Sequence, residues 1–357
     1  MDTAIRIEAL PASYGDCLLT SCPVPGGTWR LLVDTGPDET WRVLRERLSD
    51  LPANADGQRR IDLAIVSHID HDHIGATRCL FGDDALALSF GDVWFNARHH
   101  LERGVAEGEA LAALLGAPNR PLPWNKAFGG GPVSTPGDGG VVELPSAPGY
   151  PALTLLSPTP KRLARLATVW DAELLKLRKR ESNTEPELER GGEFPDLELL
   201  AAHKSSKDQS APNGSSIVIL LEHRGASLLL AADAFPTVLG RALLGLAKHR
   251  GVRPPMRFDA FKLSHHGSRA NLMVESLGVA RADHYIVSTD NTHFGHPSDE
   301  TLARVVLHGG EAPTVCFNFA TDRNLRWADR ALQRKYGFAT RFPSGNDGLV
   351  LELPARS

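Results

Sequence analysis

The sequence predicts an α/β protein built as an αββα sandwich, with two mixed β-sheets lying face to face and helices outside them. Three observations carry the prediction. Strand-like apolar runs form two groups, one towards each end of the chain. Amphipathic helical stretches alternate with them. Histidines and aspartates gather where the apolar runs stop. One domain over residues 1–357 accounts for this order more economically than two.

In the first group, "AIRIEALP" and "DCLLTSCP" alternate or cluster apolar residues as strands do. "TWRLLVDTGP" is a third strand, closed by a turn at Thr35, Gly36 and Pro37. "DETWRVLRERLSDL" places Trp41, Leu44, Leu48 and Leu51 on one helical face, with Asp38 as the expected N-cap. The continuous apolar run of "RIDLAIVSH" suits a strand buried on both faces, and "GDVWFNA" is another strand.

Residues 101–213 read as an insertion of loop, amphipathic helix and polar linker. "GAPNRPLPWNKAFGGGPVSTPGDGG" is a Gly/Pro-rich loop, and "TPKRLARLATVWDAELLKLRKR" is a helix capped by Thr159. "ESNTEPELERGGEFPD" and "HKSSKDQSAPNGSS" are polar enough to be mobile, and the whole segment suits a lid or a tolerated surface insertion.

The second group opens with "SSIVILLEHRGASLLLAADA", a hairpin turning at His223 to Gly225. "FPTVLGRALLGLAKHRG" is a helix ended by Gly251, and "FDAFKLSHHGS" is a strand running into paired histidines. "ADHYIVSTD" and "PTVCFNFA" are strands on either side of the capped helix "PSDETLARVVLHGG". The helix "NLRWADRALQRKYG" and the strand "DGLVLELP" complete the order.

The formal net charge of −4 lacks the strong basic field of a non-specific nucleic-acid binder, although a metal centre can still bind a phosphate locally. Cys17, Cys22, Cys79 and Cys316 form no C-x-x-C pair and read as reduced thiols. There is no signal-peptide pattern, and runs such as "SIVILL" are too short to span a bilayer, so no membrane partner and a cytoplasmic location are expected.

Chemistry concentrates at strand ends, where rigid scaffolds usually build active sites. His68, Asp70, Asp72 and His73 follow "IDLAIV"; Asp233 follows "SLLLAA"; His265 and His266 follow "FDAFKLS"; His296 follows "YIVSTDNTHFG". Imidazole and carboxylate are ligands of zinc, manganese and iron, and clustered carboxylates repel unless a cation lies between them. Asp34 of "VDTG" is expected to shape a turn beside the site and bind backbone amides, and Asn213 and Ser215 of "NGSS" either line the site or form an Asx turn. His71 is expected to point outward, and His99, His100, His203, His223 and His308 to lie at the surface.

"SHIDHDHIG" resembles the His-x-His-x-Asp-His-x-Gly motif of the metallo-β-lactamase superfamily, whose fold is the αββα sandwich, with Asp70 standing at the usual second histidine. That variant, together with "YGDCLL", "LLVDTG", "NGSSIVILL", "LLLAADA", "FKLSHHGS" and "FGHPS" in the same order, resembles the nuclease-like domain of the ComEC competence proteins, bacterial DNA-uptake channels. The chain reads as a stand-alone relative without their membrane-spanning parts. The resemblance implies two divalent metal ions, Zn²⁺ or Mn²⁺. It implies His68 and Asp70 on one, Asp72 and His73 on the other, and Asp233 bridging. His266 is favoured as the ligand with His265 backing it, and the reverse stays open, because neighbouring residues on a strand point to opposite faces and the phase is not fixed. His296 matches the last motif, as ligand or transition-state contact. A histidine that many relatives carry between the first motif and the bridging aspartate has no match among Asn96, His99 and His100, which leaves one metal position short.

The expected activity is hydrolysis by a water that the metal acidifies. Asp72 or Asp233 would orient it, and His266 or His296 would stabilise charge or protonate the leaving group. A phosphodiester, nucleic acid included, is the first expectation for the substrate. A hydrolase of another ester, thioester or lactam is the second, and a non-catalytic metal-binding sensor or partner module the third. Asp70 tilts the metal preference towards Mn²⁺.

Overall fold

A computed structural model describes residues 2–98, 106–118, 122–177 and 196–356. The strands are, in chain order, β1 (Thr3–Ala9), β2 (Leu18–Val24), β3 (Gly27–Val33), β4 (Arg59–Ile65), β5 (Leu88–Trp94), β6 (Val142–Glu143) and β7 (Ala152–Ser157), then β8 (Val218–His223), β9 (Ala226–Leu230), β10 (Met256–Lys262), β11 (Ala280–Val287), β12 (Thr314–Phe317), β13 (Ala339–Arg341) and β14 (Leu349–Pro354). They form two mixed sheets, ordered β14-β1-β2-β3-β4-β5 and β13-β12-β11-β10-β9-β8-β7-β6. The first is antiparallel from β14 to β3 and parallel from β3 to β5. The second is parallel from β13 to β9 and antiparallel from β9 to β6.

Side-chain alternation sorts the apolar residues into three layers. Ile5, Ile7, Leu31 and Ile65 of the first sheet share one buried cluster with Ile219, Leu228, Leu230 and Ile286 of the second, the interior of the sandwich. The other face of the first sheet is covered by Leu44 and Leu48 of helix Trp41–Ser49 and by Leu163, Leu166 and Trp170 of helix Pro160–Leu177. Leu239, Leu243 and Leu246 of helix Pro236–Arg250, with Leu302 and Val305 of helix Asp299–His308, cover the second. In β4, Ile61 and Ala64 pack into the outer layer while Leu63 and Ile65 pack into the inner one, so the strand is buried on both faces as expected.

Five local expectations are corrected. Asp38 caps nothing, because a 3₁₀ turn over Asp38–Thr40 precedes the helix and the Asp38 side chain is 73% exposed. The insertion is not all irregular: β6 and β7 extend the second sheet, and β7 gives the β8 backbone its antiparallel partner. The final helix is broken, since Asp329 is in extended backbone and its side chain accepts from Leu332 N, starting a new helix at Arg330. His223 is buried, with Nε2 2.7 Å from the Pro23 carbonyl. The polar stretch after residue 203 is pinned. Arg304, only 2% exposed, donates to the carbonyls of Ala201, His203, Arg269 and Leu272 and to Ser205 Oγ. His99, His100 and residues 178–195 of the insertion lie outside the described residues.

Arg304→Met keeps the bulk but strips four backbone carbonyls, two of them in buried contacts, of a charged donor. Urea denaturation is expected to show a loss of about 3 kcal/mol or more. A loss under about 1 kcal/mol would mean that Arg304 is not the pin.

Candidate metal centre

The parallel strands β9, β10 and β11 end side by side, so the loops after them meet. Asp233 follows β9, His265 and His266 follow β10, and His296 follows β11. The loop after β4 reaches them across the sandwich, and Ile217 N donates to Ser67 O at 3.0 Å where the two sheets join. Around the centre Asp34, Ala232, His265 and His266 all take positive φ. Left-handed backbone costs a non-glycine residue about 1–2 kcal/mol and persists only where its surroundings impose it. Here the His265 N–H donates to Ala232 O at 2.9 Å and its carbonyl accepts from Ser268 N at 2.8 Å. Strand alternation has ended at this turn, and both rings face Asp233.

Asp233 lies at the middle with its two oxygens facing different partners. Oδ1 is 3.3 Å from His73 Nε2 and 3.9 Å from His266 Nε2. Asp72 Oδ2 completes that side, 3.3 Å from His266 Nε2 and 3.9 Å from His73 Nε2. The donor atoms of Asp72, His73, Asp233 and His266 all lie within 4.8 Å of one another, and all four residues are buried. Oδ2 faces the other way, 3.6 Å from His265 Nε2 and 3.9 Å from His68 Nε2, with Asp70 Oδ2 3.7 Å from His68 Nε2. His265 thus stands on the same side of Asp233 as His68, while Asn96 is bound to the backbone of Val133. His296 stands at the rim, its ring 5.3 Å from that of His265 and its Nδ1 buried without a hydrogen bond.

A further set of groups fixes these rings. Asp34 accepts from the N–H and Oγ of Ser67, both at 2.7 Å, and lies 2.8 Å from His73 Nδ1, which turns Nε2 of that ring towards Asp233. His266 Nδ1 is 2.8 Å from the Ser288 carbonyl and 3.2 Å from Asp16 Oδ1. Asp16 also accepts from the fully buried Lys262 at 2.7 Å. His265 Nδ1 is 3.0 Å from Asn271 Oδ1 and 3.4 Å from Asp208 Oδ2, and Asp208 accepts from Asn213 and Asn271. Asp34 thus does more than shape a turn, and Asn213 holds the residue that backs His265. Sequence reasoning missed Asp16, Lys262 and Asp208. Asp16 and Lys262 stood inside quoted motifs, whereas Asp208 lay in a stretch with no signal beyond its polarity.

The donor set fits a cation. His68 Nε2, His73 Nε2, His266 Nε2 and Asp233 Oδ1 are buried without any hydrogen-bond partner, and each such atom costs about 1–3 kcal/mol. Without a cation, protons take its place. Burial opposes charge on His73, yet Asp233, Asp34 and Asp72 hold it protonated well above the usual histidine range. Against the same burial, Asp16 and Asp233 push His266 up to about 9, and Asp233 and Asp208 raise His265. Burial and the neighbouring His73 depress His68 to about 3, leaving it neutral and ready to ligate.

Cation binding must displace those protons. Titrating chelator-treated protein with Zn²⁺ at pH 7 is expected to release protons, seen as a calorimetric enthalpy that depends on the buffer's ionisation enthalpy. The affinity should fall as the pH drops from 8 to 6, because the raised histidines hold their protons more firmly there. An enthalpy independent of buffer would contradict this account.

Residues 25–83 match the family model of the metallo-beta-lactamase superfamily. The chain is 22% identical over 317 residues to ComE operon protein 3 of Bacillus subtilis (strain 168), an alignment covering 85% of this chain and 31% of that protein. It therefore spans about a third of that relative's length. Among solved structures, the metallo-beta-lactamase fold protein YhfI from Bacillus subtilis aligns with a TM-score of 0.43 at 12% identity, over 98% of this chain and 100% of that one. A diphosphatase from the PhnP family aligns with a TM-score of 0.43 at 10% identity, over 98% of each chain. The chain thus folds as two mixed sheets flanked by helices, is similar to the metallo-beta-lactamase superfamily over residues 25–83, and is similar to ComE operon protein 3 over most of its length.

Proposed function

We propose that the chain is a metal-dependent hydrolase whose substrate is a phosphodiester, nucleic acid included. The observation that carries this reading is the division of Asp233, Oδ1 towards Asp72, His73 and His266, and Oδ2 towards His68 and His265. Such a set suits two divalent ions bridged by one carboxylate. His68, Asp70, His265 and Asp233 would hold one, and Asp72, His73, His266 and Asp233 the other. When bound, such ions would supply Lewis-acid polarisation of a phosphoryl oxygen and a water reactive at neutral pH.

The protein groups then do the rest. Asp72 is held ionised despite burial by His73 and His266, and Asp233 by His265, His73 and His266, so each offers a carboxylate that can orient an attacking water. His296 is kept neutral by its burial and by the nearby His265 and His266, so it offers an N–H at the rim rather than a charge. Asp70, an oxygen donor where relatives of this superfamily place histidine, widens the metal choice from Zn²⁺ to Mn²⁺. No helix among the described residues is long and apolar enough to cross a membrane.

Bis-p-nitrophenyl phosphate is expected to be cleaved with Zn²⁺ or Mn²⁺ added. Turnover should fall by at least about 100-fold in His68→Ala and in Asp233→Asn, the loss of a cation that supplies several kcal/mol. Cleavage of nitrocefin or a thioester, with every phosphodiester left intact, would replace this reading with that of another ester or lactam hydrolase.

A further inference from the structure

Two sequence motifs bring more than donor groups to the centre. "YGDCLL" supplies Asp16 and "FGHPS" supplies His296, and each carries an aromatic residue just ahead of them, Tyr14 and Phe294. In the structure these aromatics meet. Tyr14 stacks on His293 with ring centroids 4.2 Å apart and planes 16° from parallel. Phe294 stands edge-on to both, 6.0 Å from Tyr14 and 5.0 Å from His293. Phe294 is stacked in turn on His296 at 6.0 Å, and His296 lies against His265 at 5.3 Å. A file of rings runs from the donor set outwards, and Tyr14, His293 and Phe294 at its outer end are half-buried.

The file is held in place from both sides. A Cβ on Gly15 would lie 2.0 Å from the Asp72 carbonyl oxygen, so only glycine lets Tyr14 sit this close to the loop after β4. The next residue, Asp16, donates its N–H to that same carbonyl at 3.1 Å. Across the mouth, Asp290 N donates to Ser13 O at 2.8 Å. Asn291, at φ 70°, donates to the His296 carbonyl and accepts from Thr321 Oγ1. Carboxylates surround the Tyr14 end of the file, while Arg323 lies by its His296 end. Burial, with the carboxylates of Glu39, Asp72, Asp38 and Asp290, pushes the Tyr14 hydroxyl up to about 12. Asp38 and Glu39 are exposed, so they present that charge to whatever approaches.

Aromatic faces of this kind bind planar rings, and fixed carboxylates at the mouth repel a polyanion. We propose that Tyr14, His293 and Phe294 form a subsite for a planar ring on the substrate. The favoured substrate is then a small phosphodiester with one base- or aryl-bearing arm, not a long nucleic-acid strand. This rests on the phosphodiester reading above and names the substrate class within it.

The test compares kcat/KM for thymidine 5′-(p-nitrophenyl phosphate) and methyl p-nitrophenyl phosphate, which share charge and leaving group. A preference of about 10-fold or more for the nucleoside ester is expected from stacking of a single base. Tyr14→Leu and Phe294→Leu keep the apolar bulk and should bring the ratio towards one, mainly through KM. A wild-type ratio near one, or a ratio unchanged in both variants, overturns the subsite. Faster cleavage per bond of a long oligothymidylate overturns the limit on size. A binding arm separates the two readings. In saturation-transfer NMR on the Zn²⁺-loaded protein, the base protons of adenosine 5′-monophosphate should receive saturation from the wild type and none from Tyr14→Leu, with ribose 5-phosphate as the ring-free control. If neither ester is cleaved with Zn²⁺ or Mn²⁺, the phosphodiester reading falls and this arm alone decides the ring subsite. Base protons that receive no saturation from the wild type overturn it.

Discussion

Negative charge held out of water is the constraint on which the rest of this structure depends. Asp16, Asp34, Asp70, Asp72 and Asp233 are all under 9% exposed and lie around one point. At such burial their mutual repulsion is poorly screened, and each needs a positive or donating partner. Lys262 answers Asp16, the Ser67 hydroxyl and amide answer Asp34, and the histidine rings answer Asp72 and Asp233. The strained backbone at Ala232, His265 and His266 serves the same end, because an extended chain would turn one of the paired rings away.

Those histidines connect the electrostatics to the fold. β4 lies inside the first sheet, and β9, β10 and β11 lie together in the second. Donor groups therefore reach the centre from both layers only if the apolar interior sets the two sheets in register. Ile65 and Leu230, which belong to that interior cluster, end the two strands that lead to His68 and Asp233.

The sequence made the layered fold and most of the donor set legible, for a physical reason. Buried strands have long apolar runs, and titratable residues just beyond them have few structural uses. Where such signals fail, the reading failed too. "ALTLLS" is a short apolar run among prolines and glycines, and pairing with β8 makes it a strand. Asp208 sits in a polar stretch whose order comes from Arg304, a contact between positions about a hundred residues apart. The paired histidines could not be ranked from a strand's alternation, because the strand ends before them.

The distribution of donors between the two sheets has a mechanical consequence. His68, Asp70, Asp72 and His73 belong to one layer and Asp233, His265 and His266 to the other, and His73 and Asp233 are 160 positions apart in the chain. A cation held by both groups is a removable cross-link closing that loop, comparable in topology to a disulfide but governed by concentration instead of redox potential. The two halves of the sandwich, already joined by their shared apolar interior, would then be held more firmly where the divalent ion is abundant. The resistance of the fold to opening would in part become a reading of the ion around it.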